Sequence, residues 1–225
     1  MSVLFVDLET IPTQSDAAKE RIAATVKHPG TITKAESIKA WEEEKKPQAI
    51  RDAIDKTSFS GAYGSICCIG FAFDDAPAQS LSWPLNSSSE KDMLEKFVEV
   101  AGALCGNRAP VIVGHNVAAF DIRFMWQRAM VLGVKMPSFF PRDPKPWASD
   151  VFDTMTAWAG ARDTISMDNL CFALGIEGKG DIDGSMIAQM FADGKHEAIA
   201  AYCRSDIEKT RLVYKKMQVA LGGNY

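Results

Sequence analysis

Val-Asp-Leu-Glu-Thr, at residues 6–10, is the stretch that decides the fold of this chain. It overlaps the end of a β-rich run at residues 2–8 (SVLFVDL), and such an apolar run is typical of a strand buried on both faces. Asp7 and Glu9 are two residues apart, so both side chains leave the same face of the strand. Open α/β sheets bind their ligands at the carboxyl ends of strands. The pair therefore indicates a site, although acids also occur at strand ends by chance.

Two further acids lie in separate segments. Asp121 follows a Gly-His-Asn turn at the start of a predicted helix, where an acid can also serve only to complement the helix dipole. Asp206 is more informative, because a helical wheel of the last helix places it in the middle of an apolar stripe. The same wheel places Lys209 and Arg211 on the opposite face. A carboxylate on the core-facing stripe needs a partner, and we expect a metal ion in preference to an ion pair with a buried arginine or a capping hydrogen bond.

Together the four carboxylates predict a divalent-cation site. No matching cluster of basic residues accompanies them, and oxygen ligands favour Mg²⁺ or Mn²⁺. Two such ions about 4 Å apart suit in-line displacement at phosphorus, because one activates water and the other stabilises the leaving oxygen. Tyr202 precedes Asp206 by one helical turn, so its hydroxyl can reach the same space. His28 and His196 lie outside these segments, and the chain has neither a P-loop nor a G-x-S-x-G motif.

The composition is that of an ordinary globular protein. The chain has 225 residues, 47% of them hydrophobic, and a net charge of −4, so contact with nucleic acid should be local rather than through a broad basic surface. No apolar run approaches the roughly 20 residues that span a bilayer, and no basic region opens the chain, so we expect neither a membrane protein nor a signal peptide. The five cysteines contain no Cys-x-x-Cys pair and are interpreted as reduced core residues of a cytoplasmic protein.

Periodicity and turn residues predict an α/β domain with a mixed sheet. Further strands are predicted at residues 64–73, 78–83 and 110–113, the first two of these joined as a hairpin. The pattern Ser87-x-x-Glu90 predicts a capping box that opens a helix. Residues 134–149 contain four prolines and are predicted as loop. Helices are predicted at about 87–105, 119–132, 153–160, 166–174, 185–192 and 196–220.

Residues 12–60 differ from the rest of the chain. They are charged and helix-forming, with breaks near Pro29 and Pro47. We predict a helical insertion or flap after the first strand, within a single domain that spans residues 1–225. A plain pair of solvated helices explains the same charge pattern and is the favoured interpretation of its role.

The motifs, in this order, resemble those of the DEDD superfamily of 3′–5′ exonucleases. Asp-x-Glu-Thr at residues 7–10 is similar to the first exonuclease motif, and His-Asn-x-x-x-Phe-Asp at residues 115–121 is similar to the second. Tyr-x-x-x-Asp at residues 202–206 is similar to the third motif in its tyrosine form, called DEDDy. The histidine form would have a histidine five residues before the last aspartate, where Ala201 stands.

The resemblance extends over nearly the whole chain except residues 12–55. Residues 151–155 (VFDTM) and 166–176 (SMDNLCFALGI) are similar to the family's segment between the second and third motifs. With the stretch at residues 56–70, the chain is most similar to predicted exonucleases related to the proofreading domain of family-B DNA polymerases.

The resemblance implies a ribonuclease H-like fold, with a five-stranded mixed sheet flanked by helices, and hydrolysis of nucleic acid from its 3′ end to 5′-mononucleotides. Two divalent metal ions, Mg²⁺ or Mn²⁺, would be bound by Asp7, Glu9, Asp121 and Asp206, and Tyr202 would orient the attacking water. Leu8 and Thr10 would contact the 3′-terminal nucleotide, with Asn116 and Phe120 near the scissile end. The implied partners are a single-stranded 3′ end and, in trans, a polymerase or another replication or repair protein.

Three alternatives remain open from the sequence. The same motifs occur in ribonuclease D-like enzymes, so the substrate could be RNA rather than single-stranded DNA. An inactive module that binds nucleic acid or a polymerase would keep the fold, but loss of an acid would favour it and all four are present. An unrelated α/β domain with coincidental acids is disfavoured by the position of Asp206.

Overall fold

The computed structural model describes residues 2–106, 109–145, 148–178 and 180–222, and within them a five-stranded mixed sheet. The strands are β1 (Val3–Ile11), β2 (Ser65–Phe73), β3 (Gln79–Ser82), β4 (Val111–Gly114) and β5 (Val151–Asp153), in the order β3-β2-β1-β4-β5. β1–β2 and β2–β3 are antiparallel, whereas β1–β4 and β4–β5 are parallel. The predicted α/β class, mixed sheet and hairpin are confirmed.

Helices flank the sheet on both faces. They are α1 (Asp16–Thr25), α2 (Ala35–Glu44), α3 (Lys46–Asp55), α4 (Glu90–Cys105), α5 (Asp121–Leu132), α6 (Thr154–Ala159), α7 (Met167–Leu174), α8 (Ile187–Ala192) and α9 (His196–Leu221). Short 3₁₀ turns cover Lys56–Phe59 and Gly184–Met186. None of the helices in the described ranges combines the length and apolar character that a membrane span requires.

Alternate residues of β1 face two different layers. Leu4, Val6 and Leu8 are buried in a core shared with side chains of α4 and α5. Phe5 points to the other face and packs in a cluster with Ile207 of α9. Side chains alternate between the two faces of a strand, so Asp7 and Glu9 lie on the same face as Phe5, which is the side of α9.

The start of α4 differs from the predicted capping box. Ser89, not Ser87, is the N-cap, and its hydroxyl accepts from the Asp92 N–H at 3.1 Å. Glu90 instead accepts from the Ile66 N–H at 2.8 Å and forms a buried ion pair with Arg128 at 2.7 Å. Any of three consecutive serines can cap the helix, so the tertiary contacts of Glu90 decide which of them becomes the N-cap.

The segment after β1 is helical, as predicted, and contains three helices before a 3₁₀ turn. Its helices pack loosely: α1 buries no side chain, and Trp41 of α2 is the buried residue that anchors α2. β5 was not predicted from the residues. The described residues of the predicted loop at 134–149 contain neither helix nor strand, which confirms the loop there, whereas Pro146 lies outside the described residues. The five cysteines are free and buried, which confirms their predicted place in the core.

Candidate active site

The end of β1 extends beyond its parallel neighbour. β1 pairs with β4 only over residues 3–5, and β4 ends at Gly114, whereas pairing with β2 continues to Ile11. On the open side, the Leu8 N–H donates to Asp121 Oδ1 at 2.9 Å. Asp121 is the first residue of α5 and is buried. A carboxylate thus completes the backbone hydrogen bonding of β1 where the sheet opens, and this bond brings the first two acidic segments together.

The third acidic segment reaches β1 through a close helix contact. Gly70 lies opposite Asp7 in β2, and a Cβ at Gly70 would lie 2.7 Å from Cys203 Sγ, so glycine allows α9 to approach. The Cys203 thiol donates to Asp7 Oδ2 at 3.5 Å. Asp206 follows Cys203 by about one helical turn and therefore lies above the same end of β1.

Burial and mutual repulsion dominate the electrostatics of the acids. Burial, and then the charge of Asp206, raises the pKa of Asp7 to about 7. Burial and the charge of Asp7 raise the pKa of Glu9 well above its ordinary value, with further contributions from Asp206 and Asp121. Burial and Asp7 also raise the pKa of Asp121, opposed in part by its bond from the Leu8 N–H. The four carboxyl groups therefore lie within electrostatic reach of one another, and full ionisation of all four requires compensating positive charge.

Asp206 has a basic partner that the sequence interpretation set aside. Lys209 Nζ lies 2.9 Å from Asp206 Oδ1, and the two side chains are 12% and 17% exposed. The helical wheel places Lys209 on the opposite face, but its long stem lets the ammonium reach back along α9. Arg211 is also buried rather than solvated, with its guanidinium 5.4 Å from the centroid of the Phe5 ring. Both basic residues therefore correct the prediction, and Lys209 supplies one positive charge beside four carboxyl groups.

Tyr202 lies beside the acids on the preceding turn of α9. Burial, followed by the charges of Asp206 and Glu9, raises the pKa of the Tyr202 hydroxyl well above its ordinary value. The Lys209 Nζ lies 6.0 Å from the centroid of its ring. The hydroxyl thus stays protonated near neutral pH and can donate a hydrogen bond to an oxygen in the site.

The tightest group of possible metal ligands contains two of the four predicted acids. In the described part of the chain, one set of three side chains has ligand atoms within 4.8 Å of one another: Asp7, Glu9 and Cys203. Asp121 and Asp206 fall outside this set, and one oxygen of each accepts a hydrogen bond within the protein. Burial raises the pKa of the Cys203 thiol, so it stays protonated and the hard carboxylate oxygens remain the donors.

The turn that precedes α5 is fixed by Asp153 at the end of β5. Its carboxylate accepts from the N–H groups of Asn116 and Ala118, both at 3.0 Å, and caps α6 through the Met155 N–H at 3.0 Å. Asn116 has a φ of 61°, a left-handed conformation that asparagine tolerates better than most residues. The backbone of the second motif is therefore pre-organised before any ligand binds.

His115 stabilises the same turn from its other side. Its Nδ1 lies 2.9 Å from Thr154 Oγ1 and its Nε2 lies 2.9 Å from the Ile165 carbonyl oxygen. Burial lowers the pKa of His115. Both ring nitrogens are thus engaged by the protein, which agrees with a structural role for this histidine.

The predicted substrate contacts fall in different environments. Leu8 is 6% exposed and packs in the core, so its side chain presents little surface to a ligand. Thr10 is half-buried, and its hydroxyl donates to the Ser58 carbonyl at 2.8 Å. Phe120 is half-buried, with its ring centroid 6.5 Å from that of Phe59. Thr10 and Phe120 border open surface, whereas Leu8 does not.

Sequence reasoning missed three residues that shape the site. Cys203 was interpreted only as one of the core cysteines, and nothing in its surroundings in sequence signals a bond to Asp7. Lys209 lies three residues after Asp206, a spacing that permits a helical ion pair and could have signalled it. Asp153 precedes a threonine at a helix start, a typical N-cap position, but its second bond to the turn at 116–118 depends on β5.

The fold and the acidic cluster define the class: the chain has the ribonuclease H-like exonuclease fold, an α/β architecture with its acids at the end of the central strand. The chain belongs to the family described as "Predicted 3'-5' exonuclease related to the exonuclease domain of PolB", whose sequence model matches residues 63–223. The matched stretch includes Asp121, Tyr202 and Asp206 but begins after β1, which carries Asp7 and Glu9. No curated protein sequence matches the chain.

A solved polymerase structure has a similar fold. The structure of the family B DNA polymerase from the hyperthermophilic archaeon Pyrobaculum calidifontis aligns with a TM-score of 0.60, at 14% identity, over 97% of this chain. The chain spans 24% of the length of that polymerase. At this identity the likeness shows the fold, and the chemistry must be argued from the site itself.

Proposed function

We propose that the protein is a metal-dependent 3′–5′ exonuclease that hydrolyses single-stranded DNA from its 3′ end and releases 5′-mononucleotides. The observation that carries this proposal is the meeting of β1, α5 and α9, which gathers four carboxyl groups with one lysine and one tyrosine. Membership of a family of predicted exonucleases supports the same reaction.

The donor set fits two divalent cations. Glu9 and Asp121 are 6% and 4% exposed, and within the described residues neither forms an ion pair with a lysine or arginine. Buried carboxyl groups with raised pKa values and only oxygen donors are suited to Mg²⁺ or Mn²⁺. Asp7, Glu9, Asp121 and Asp206 would bind the ions, which when present activate water and offset charge at the phosphate.

The chain's own groups have distinct roles in this proposal. Asp121 holds the open edge of β1 through the Leu8 N–H, so the acids of the strand keep their position relative to α5. Tyr202 remains neutral and donates a hydrogen bond that orients the attacking water. Lys209 balances part of the negative charge beside Asp206. Because these groups sit on a strand and two helices rather than on loops, their geometry is already set before substrate binds.

The decisive experiment compares end-labelled single strands of DNA and RNA in Mn²⁺ and in EDTA. We expect Mn²⁺-dependent release of mononucleotides from the 3′ end, and resistance of a strand whose last 3′ linkage is a phosphorothioate. The Asp7→Asn variant, which keeps the side-chain size, should be folded and inactive, whereas the exposed control Asp181→Asn should match the parent. Digestion from the 5′ end, cuts in a closed circle, or activity of Asp7→Asn would refute the proposal.

The same assay decides between the proposed substrate and the alternatives. Faster digestion of RNA than of DNA would make the protein a ribonuclease with the same chemistry. Binding of either strand without hydrolysis would make it a nucleic-acid-binding module. We propose that the protein acts in the cytoplasm, alone or in trans beside a polymerase or another replication or repair protein, and that residues 1–225 form one domain with residues 12–60 inserted in it.

A further inference from the structure

A groove of about 1050 Å³ opens directly beside the acidic cluster. Its base is the end of β1, at Thr10 and Ile11, immediately after Glu9. The helical segment between β1 and β2 forms one wall, and Trp83 and residues of α8 complete the lining. Because β1 continues from the acids into the base of the groove, a chain bound at the acids can extend into it.

Phe59 is the most exposed large hydrophobic side chain among the residues that line this groove. Its side chain is 74% exposed, although burial of a phenylalanine is ordinarily favourable. The ring centroid lies 6.5 Å from that of Phe120 at an interplanar angle of 62°, and Phe120 directly precedes Asp121. An aromatic face is therefore held open to solvent next to the residue that begins the catalytic helix of the proposed enzyme.

The backbone that carries Phe59 is held on both sides. The Ser58 carbonyl accepts from the Thr10 hydroxyl at 2.8 Å, and the Thr57 hydroxyl accepts from the Thr13 N–H at 2.9 Å. A Cβ at Gly64 would lie 2.3 Å from the Thr57 carbonyl oxygen, so the following turn packs against the same residue. The exposure of the ring is thus a property of an anchored turn, and the ring is pre-organised to receive a partner.

The charge of the groove indicates which part of a nucleotide it accepts. Lys19 and Lys56 are balanced by Asp52 and Asp55, so the charged side chains of the helical wall contribute no net positive charge. Phosphate groups would favour a basic wall, whereas the flat face of a base stacks on an aromatic ring regardless of its identity. The lining thus suits bases more than backbone.

We infer that Phe59 is a base-stacking platform for the 3′-terminal nucleotides of a single strand, and that the segment at residues 12–60 serves to form this wall of the substrate groove. The inference rests on the proposed function: the acids must bind the scissile end of the strand if the groove is to bind the nucleotides next to that end. It assigns Phe59 a contact with substrate that Phe120 alone does not supply.

The test uses two oligonucleotides and two readouts. One oligonucleotide is an ordinary single strand of DNA. The second has the same sequence and length but lacks the bases of its two 3′-terminal nucleotides. Binding is measured by fluorescence anisotropy with Ca²⁺ in place of Mn²⁺, and kcat/KM is measured with Mn²⁺. Base–aromatic stacking contributes about 1–3 kcal/mol, so Phe59→Ala should weaken binding of the ordinary strand by about 5- to 150-fold. The kinetic loss should appear mainly in KM.

Controls separate stacking from loss of structure. Phe59→Trp should bind like the parent, and Phe172→Ala, which removes an 87% exposed ring of α7 outside the groove, should change nothing. On the strand without terminal bases, parent and Phe59→Ala should agree within about twofold, since no stacked base remains to lose. Because Phe59 is exposed, the Ala variant should melt with the parent.

The outcomes distinguish this inference from the proposed function. If Phe59→Ala weakens binding of the ordinary strand but the parent does not hydrolyse that strand, the exonuclease proposal is refuted and the role of Phe59 in base stacking is supported. A parent that hydrolyses the strand with no effect of Phe59→Ala would overturn the platform alone. Equal losses on both strands, or a parent that binds neither, would also overturn it.

Discussion

Asp7→Asn should stabilise the metal-free protein at neutral pH, and the structure sets the size of the effect. Burial and Asp206 raise the pKa of the Asp7 carboxyl from its ordinary 3.8 to about 7. At about 1.4 kcal/mol per pKa unit, this difference sets an upper limit of about 4 kcal/mol on the cost of ionising Asp7 in the folded protein. The asparagine keeps an oxygen that can accept from Cys203 but carries no charge. We expect it to recover about half of that limit, roughly 2 kcal/mol.

The sign of the pH dependence follows from proton binding. Between about pH 4 and pH 7 the folded protein retains a proton on Asp7 that the unfolded chain has lost, so the metal-free parent loses stability as the pH rises through this range. The asparagine variant should lack this component. The two should therefore melt together near pH 4 and diverge by about 4–8 °C at pH 8, at about 2–4 °C per kcal/mol for a chain of this size.

The assay is thermal melting in EDTA at pH 4, 5, 6, 7 and 8, repeated in Mn²⁺. Saturating Mn²⁺ at about 100 times its Kd should raise the stability of the parent by about 2.7 kcal/mol and reverse the order of parent and variant. Asp181→Asn, an exposed substitution of the same chemistry, controls for the change in net charge. A metal-free asparagine variant that melts below the parent at pH 8 would refute the reasoning and make Asp7 a structural hydrogen-bonding residue.

Three further predictions follow from other contacts. Tyr202→Phe should slow turnover by about 10- to 10³-fold without changing the Mn²⁺-induced rise in melting temperature, because water positioning is lost while the carboxylates remain; unchanged kcat would make Tyr202 a packing residue. Lys209→Met should lower metal-free stability by about 1–3 kcal/mol, measured by urea unfolding, because the partly buried Asp206 carboxylate loses its hydrogen-bonding partner. Mn²⁺ should restore most of the loss, and equal losses with and without Mn²⁺ would contradict this. Glu90→Gln, which breaks the buried pair with Arg128, should cost about 3–5 kcal/mol in the same measurement yet leave activity per folded molecule intact; a loss under 1 kcal/mol would refute that estimate.

The fold was predictable wherever one local pattern dominates. The continuous apolar runs of β1 and β2 and the glycines that end α5 and α7 place those elements within a few residues of their observed bounds. β5 was missed from the residues because three residues beside a proline-rich stretch carry no periodicity. The start of α4 was misplaced because Ser87 and Ser89 are equivalent candidates for the cap in the sequence. The ion pair of Glu90 with Arg128 distinguishes them, and Arg128 is 38 residues away in the chain.

The acidic cluster was predictable from residue types and order, but its basic residues were not. A helical wheel assigns each residue to a face by the direction of its Cα–Cβ bond, which suffices for a short side chain such as Asp206. Lysine and arginine side chains are long enough to extend beyond their own face of a helix. Lys209 therefore contacts the Asp206 carboxylate, and the Arg211 guanidinium packs on the Phe5 ring. The correction is therefore physical: wheel arguments locate carboxylates better than they locate the cations that neutralise them.

Asp121 shows why structure and chemistry cannot be separated at this site by alanine substitution. Its Oδ1 accepts from the Leu8 N–H beyond the point where β1 stops pairing with β4. That oxygen therefore replaces the backbone acceptor that a neighbouring strand would supply. Its charge acts on Asp7 and Glu9 at the same time. Removing the whole carboxylate leaves a buried N–H without its acceptor and also removes a proposed metal ligand, so loss of activity would be ambiguous. Asparagine retains the acceptor and removes only the charge, so the acids of this cluster are best compared as asparagine and glutamine variants.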